Sequence, residues 1–188
     1  MKTRGNRRYL LLVVLFIFLM LYLFITKTNL IQRIVYPFHY REIIEIEADK
    51  NNQDPRLIAA IIWVESRFKK DARSSKGALG LMQVMPQTGR WVAEQAGFAL
   101  YSDETLMEPE VNIAIGTWYF QKLITTFDGN KHAALAAYNG GQGHAARWLE
   151  SGVWDGTLEN VHAVPFPETR QFVIKVDKTY QRYKELYN

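Results

Sequence analysis

Seventeen residues without a charge, YLLLVVLFIFLMLYLFI (9–25), follow a leader carrying Lys2, Arg4, Arg7 and Arg8. A run with no polar stripe cannot be one face of an amphipathic helix, so all of its circumference has to leave water. As a helix it is about 25 Å long, slightly short of a bilayer core of about 30 Å. Thr26 and Lys27, a lysine able to snorkel to the interface, extend the span to 9–27. The basic residues ahead of it put the amino terminus in the cytoplasm and the rest of the chain on the far side. The expectation is a basic leader (1–8), a single transmembrane helix (9–27), a linker (28–40) and one domain (41–188). Two other readings compete. A cleaved signal peptide has the same charge order, but TKTNLIQRIVYPF after residue 25 lacks a small-residue cleavage pattern. A buried core helix fits poorly with the basic leader.

Charge is read best once the leader is set apart. Of 23 Lys and Arg, four lie in the leader, which leaves nineteen against 19 Asp and Glu. A domain with no net charge lacks the basic face that nucleic-acid binding requires. The absence of cysteine excludes a disulfide framework and a thiolate zinc site.

Helical periodicity dominates from residue 41 onward, and no segment alternates as a strand does. REIIEIEADK (41–50) reads as a short amphipathic helix. Asp54–Pro55 is a cap followed by proline at the first helical position, which predicts a helix over 55–69. Loop 70–80 is rich in Gly and Ser. Further helices are predicted over 86–97, 110–127, 131–139, 143–150 and 167–187, with a connection at 102–110. The fold class is all-α, in a globular, lysozyme-like arrangement rather than a long bundle.

Within IIWVESRF (61–68), Glu65 shares a helical face with Ile58, Ile61, Ile62 and Phe68, while Arg56, Arg67 and Lys70 lie on the outward side. Burial favours a neutral carboxyl, and a carboxylic acid protonated near neutral pH can donate to a leaving oxygen. A solvated glutamate at the edge of the stripe fits the spacing as well, and the spacing alone favours that plainer reading.

Three further segments bear on the choice. GALGLMQVMP (77–86) holds two glycines around a turn, an amide at Gln83 suited to hydroxyl and acetamido groups, and adaptable apolar surface at Met82 and Met85. AYNGG (137–141) puts Tyr138 and Asn139 at a helix end. PFPETRQFV (165–173) opens the last helix. Each alone is equally a turn or a capped helix.

Taken in order, Glu65–Ser66, 77–86, 137–141 and 165–173 resemble the catalytic domain of the soluble lytic transglycosylases, in the goose-type lysozyme superfamily. The resemblance implies cleavage of the bond between N-acetylmuramic acid and N-acetylglucosamine in peptidoglycan glycan strands, without water and with closure of a 1,6-anhydro ring. It puts the single catalytic acid at Glu65 and groove roles at Ser66, Ser74, Gln83, Met85, Tyr138, Asn139 and Phe172. It implies a one-acid mechanism with no cofactor and no metal. The family usually has a tyrosine where Phe172 stands, so a hydroxyl near the acid is missing, and Tyr138 is the candidate to replace it. Hydrolysis of the same bond, or glycan binding without cleavage, are the alternatives. Asp71, Glu94 and Glu150 read as solvated and Glu168 as a helix-start residue. His132, His144 and His162 lack ligand spacing. Trp148 and Trp154 read as packing residues.

Overall fold

The computed structural model describes residues 3–27, 29–98 and 102–187. Among them every regular element is helical, and pairing of the strand type is confined to two isolated antiparallel bridges, Arg73–Leu79 and Leu79–Val84. The chain divides into two compact units, Met1–Pro37 and Phe38–Asn188. The first holds α1 (Thr3–Lys27) and α2 (Leu30–Val35). Within α1, Arg7–Phe24 is long and apolar enough to cross a membrane. Part of the stretch read as a linker is thus helical, in α2.

The second unit is all-α. It runs through α3 (Arg41–Lys50), α4 (Pro55–Ser66), α5 (Pro86–Ala96), α6 (Pro109–Thr126), α7 (Lys131–Gly140), α8 (Gln142–Glu150) and α9 (Pro167–Leu186), with 3₁₀ turns at Thr105–Met107 and Val161–Ala163. Four of these helices, α4, α5, α6 and α9, start on proline, whose fixed φ suits the first turn and whose missing N–H costs nothing there. Side-chain caps secure the start of α4 a second time and that of α7. Asp54 accepts from Arg56 N at 2.8 Å and Asn130 from Ala133 N at 3.0 Å.

The central helix is α4. Leu57, Ile58, Ala59, Ala60, Ile61 and Ile62 are all buried, so its middle is covered on every side rather than along one stripe. Each buried Leu or Ile contributes about 1.5–3 kcal/mol. The most extensive packing of α4 is against α9, with α3 also alongside. The Tyr180 hydroxyl on α9 donates to Asp54 Oδ2 at 2.8 Å, which fastens the cap of α4.

The predicted end of this helix needs correction. It stops at Ser66, not 69, because Arg67 (φ 54°) and Phe68 (φ 59°) take left-handed backbone. Neither is glycine, so each costs about 1–2 kcal/mol. Tertiary contacts offset this: the Arg67 guanidinium lies 3.1 Å from the centre of the Trp63 ring, and Phe68 is buried with His39 edge-on at 5.6 Å. Phe68 is therefore not a helical neighbour of Glu65.

Loop 70–85 is held from beneath by one side chain. Asn112, fully buried on α6, accepts from Met82 N at 2.7 Å and donates to Leu79 O (3.0 Å) and Leu106 O (2.8 Å). Gly80 (φ 75°) is required here, since a Cβ would collide with the Asn112 amide. Gly116 likewise makes room for Met82, which is wholly buried and not groove surface as its sequence context suggested. On α7, residues Ala133 to Ala137 are buried, and this helix packs on α6, α8 and α9. Lys131 Nζ (2.6 Å) and His132 Nε2 (3.1 Å) both meet Asp177 Oδ1, joining α7 to α9.

Replacing Asn112 by Ala strands three buried backbone groups, each worth about 1–3 kcal/mol when unsatisfied. The variant is expected to lose about 3 kcal/mol or more, seen as a fall of roughly 6–12 °C in the thermal midpoint of the detergent-solubilised chain. An unchanged midpoint would show that the loop does not depend on this side chain.

Candidate active site

Four elements converge at the carboxyl end of α4. Glu65 is its penultimate residue. Loop 70–85 brings Gln83 and Met85, the end of α7 brings Tyr138 and Asn139, and the first two turns of α9 bring Glu168, Thr169 and Phe172. A pocket of about 300 Å³ is walled by residues that include Gln83, Met85, Thr88, Tyr119, Tyr138 and Asn139. Glu65 is not itself one of its walls, but it lies within electrostatic reach of Tyr138 and Glu168.

Burial drives the proton affinity of Glu65 upward, and the negative charge of Glu168 adds to it, so that its pKa rises from 4.5 to about 8. Two features of the fold act in the same direction. The end of a helix carries partial negative charge, which disfavours a carboxylate. Among the described residues, no group donates a hydrogen bond to the Glu65 carboxyl, so nothing stabilises its charged form. Glu168 differs: it is exposed and paired with Lys76 Nζ at 2.8 Å.

Tyr138 is the best fixed side chain of the site. Its hydroxyl donates to Met82 O at 2.8 Å, its ring is stacked on Phe172 at 6.3 Å and 8°, and it also meets Tyr119 and Phe120. Burial, with Glu65 and Tyr119 beside it, raises its pKa well above 10 and keeps the phenol neutral. The hydroxyl is thus committed to the loop, and the expectation that it replaces the missing tyrosine hydroxyl beside Glu65 is not met. Phe172 is buried and contributes a ring face.

The other predicted site residues have individual tasks. Ser66 is buried and bonds back to Ile62 O at 3.1 Å, within its own helix. Ser74 accepts from Ala78 N at 2.9 Å and closes the turn at 74–78. Gln83 takes left-handed backbone (φ 48°), and its Nε2 donates to Gly80 O (2.8 Å) and Ala72 O (3.2 Å), which spends the donor end of the amide internally. Asn139 accepts from the Thr169 hydroxyl at 2.8 Å. Met85 is exposed at the rim. Gln83, Met85, Tyr138 and Asn139 share the pocket, whereas Ser66 and Ser74 shape the elements that carry it. Trp148 and Trp154 are buried, as read from the sequence, and His132 and His144 bond to Asp177 and Arg147.

Three contributors escaped the sequence reading: Thr88, Tyr119 and the anchoring Asn112. Asn112 did leave a signal, as an amide inside the apolar run VNIAIG. Tyr119 left none beyond helical periodicity.

Residues 42–159 match the family model described as Transglycosylase SLT domain. The chain is 32% identical over 145 residues to a soluble lytic murein transglycosylase of Escherichia coli, covering 75% of this chain and 22% of that protein. It is 31% identical over 170 residues to the membrane-bound lytic murein transglycosylase C of Edwardsiella ictaluri, covering 78% and 47%. Among solved structures, an inactive mutant of a Pseudomonas aeruginosa lytic transglycosylase superposes with a TM-score of 0.74 at 35% identity, over 80% of this chain and 24% of that one. The 70 kDa soluble lytic transglycosylase of Escherichia coli gives 0.76 at 31% identity, over 80% and 25%. The chain thus spans under a quarter of the soluble relative and just under half of the membrane-bound one.

The raised pKa of Glu65 has a stability signature. Between 4.5 and about 8 the folded chain binds a proton that the unfolded chain has released, so stability falls as pH rises through this window and the full deficit is present above it. Glu65→Gln removes the deficit. Its thermal midpoint should exceed that of the parent at about pH 9, and the gap should close at about pH 5. Equal differences at both values would indicate a carboxyl of ordinary affinity.

Proposed function

The chain belongs to the Transglycosylase SLT domain family, and on that premise we propose that it is a membrane-anchored lytic transglycosylase of peptidoglycan with Glu65 as its acid and then its base. The observation that carries this reading is the proton affinity of Glu65, a carboxyl still protonated near neutral pH beside a pocket of amide and phenol groups. Protonated Glu65 donates to the glycosidic oxygen as the bond from the N-acetylmuramic acid C1 breaks. The resulting carboxylate then accepts the proton of the same sugar's C6 hydroxyl, whose oxygen bonds to C1. No water is consumed, and Glu65 ends as it began. The substrate's own acetamido group assists at C1.

One acid suffices for this sequence, because the attacking hydroxyl belongs to the substrate. Two-carboxylate glycosidases instead hold a second acid at a fixed separation. The nearest candidate here, Glu168, is exposed and engaged by Lys76, and its contribution is to hold the proton on Glu65. The inactive mutant among the solved relatives carries glutamine in place of a glutamate, which agrees with a mechanism resting on one carboxyl. Tyr138, Asn139, Gln83 and Met85 hold the sugars, and Phe172 supplies a ring where the family has a tyrosine.

Anchoring is part of the proposal. Arg7–Phe24 spans the cell membrane with the basic leader in the cytoplasm. The domain then works on the wall side, where its glycan strands are. A relative's name includes "membrane-bound", which is consistent with this placement.

Mass spectrometry of purified peptidoglycan treated with the chain should detect muramic ends lighter by one water than hydrolytic ends. Reducing ends without anhydro product would make the enzyme a muramidase, and uncut strands that still bind would make it a glycan-binding module. Glu65→Gln should lower the rate by about 10³-fold. Wild-type kcat/KM should fall as pH rises through about 8, where the acid loses its proton.

A further inference from the structure

Between the apolar helix α1 and the domain lies a segment that the proposed reaction does not use. Asn29 takes left-handed backbone (φ 52°), which breaks the helical path of α1. α2 (Leu30–Val35) then starts afresh, with Arg33 N donating to Asn29 O at 2.9 Å and Tyr36 N to Gln32 O at 2.8 Å. Its sequence, LIQRIV, sorts by side. At about 100° per residue, Leu30, Ile31, Ile34 and Val35 fall within an arc of about 140°, and Gln32 and Arg33 lie outside it.

No residue of α2 is buried, and its four apolar side chains are each at least half exposed. So short a helix is marginal in water by itself, and adjacent large apolar side chains facing water form a surface that calls for a partner. Chain continuity selects that partner. The stretch long and apolar enough to cross a membrane ends at Phe24, and only residues 25–29 lie between it and Leu30. The chain is there leaving the hydrocarbon core, and the nearest apolar medium is the acyl boundary of the same bilayer. A polar side bearing Arg33 suits the headgroups, to which arginine snorkels. Tyr36, next in the chain, is of a type enriched at this depth.

We propose that α2 is an interfacial helix, which lies in the wall-side headgroup layer with Leu30, Ile31, Ile34 and Val35 toward the acyl chains and Arg33 toward water. The inference rests on the membrane-anchored reading of α1. Only Tyr36 and Pro37 separate α2 from Phe38, where the domain begins. A domain on so short a tether works on the glycan strands nearest the bilayer.

The chain has no cysteine, so single introduced cysteines report without background. The test uses the full chain carrying Ile31→Cys, Ile34→Cys or Arg33→Cys, with Phe16→Cys in α1 as the reference. Each is labelled with the fluorophore NBD and reconstituted in nanodiscs of phosphatidylethanolamine and phosphatidylglycerol. At positions 31 and 34 the emission should shift to the blue. Lipids with a nitroxide high on the acyl chain should quench these two labels more than lipids with a nitroxide at the chain end. Iodide should quench the label at position 33 and spare them. At position 16 the deep nitroxide should be the stronger quencher. If iodide quenches all three α2 labels while position 16 stays lipid-quenched, α2 is a plain linker, and the inference falls with the anchor intact. If the deep nitroxide is the stronger quencher at 31 and 34, α2 continues the span and the interfacial placement is wrong. If neither iodide nor nitroxide lipid reaches these labels, protein covers the face and the inference falls again. If iodide quenches position 16 as well, anchor and interfacial helix fall together.

Discussion

Six consecutive residues of α4, Leu57 to Ile62, are withdrawn from water, and the helix is wrapped on all sides before it ends. Whatever side chain stands at that end enters surroundings already poor in solvent. Glu65 stands there, with Glu168 adding its negative field and no described donor to relieve it. The high proton affinity of the site thus follows from the packing of the helix that makes the core. A surface helix with the same glutamate would leave it a carboxylate. Just beyond, Arg67 and Phe68 turn the chain sharply in left-handed conformations, held by the Trp63 ring and by His39.

The other half of the site depends on Asn112. Its three hydrogen bonds give loop 70–85 a fixed floor, on which Met82 presents its carbonyl to the Tyr138 hydroxyl. Tyr138 in turn stacks on Phe172. Loop, α6, α7 and α9 are thereby tied through a short series of polar and ring contacts around the acid. Such preorganisation is what proton transfer to a positioned oxygen needs, since misplacement by even 1 Å is costly.

Much of the fold was legible because its signals are local. Asp54–Pro55, Pro86 and Pro167 mark helix starts through cap and φ chemistry that needs no partner. The end of α4 was not legible, since no glycine marks it and the turn is held by a cation–ring contact of Arg67 with Trp63 on α4 itself and by His39, distant in sequence. Met82 reads as surface in a Gly-rich loop but is buried, because Gly116 on another helix opens a space for it. The order of motifs brought Gln83, Tyr138, Asn139 and Phe172 to notice, yet which polar atoms remain for a ligand is tertiary information. The Tyr138 hydroxyl and the Gln83 amide donor turn out to be engaged inside the protein.

The central claim is that the fold keeps Glu65 protonated near neutrality, and direct titration tests it. Carboxyl ¹³C NMR on glutamate-labelled chain, with the Glu65 resonance assigned by its loss in Glu65→Gln, should give a midpoint at about 8. A midpoint near the ordinary 4.5 would contradict the account, because Glu65 would then be a carboxylate with no proton to give.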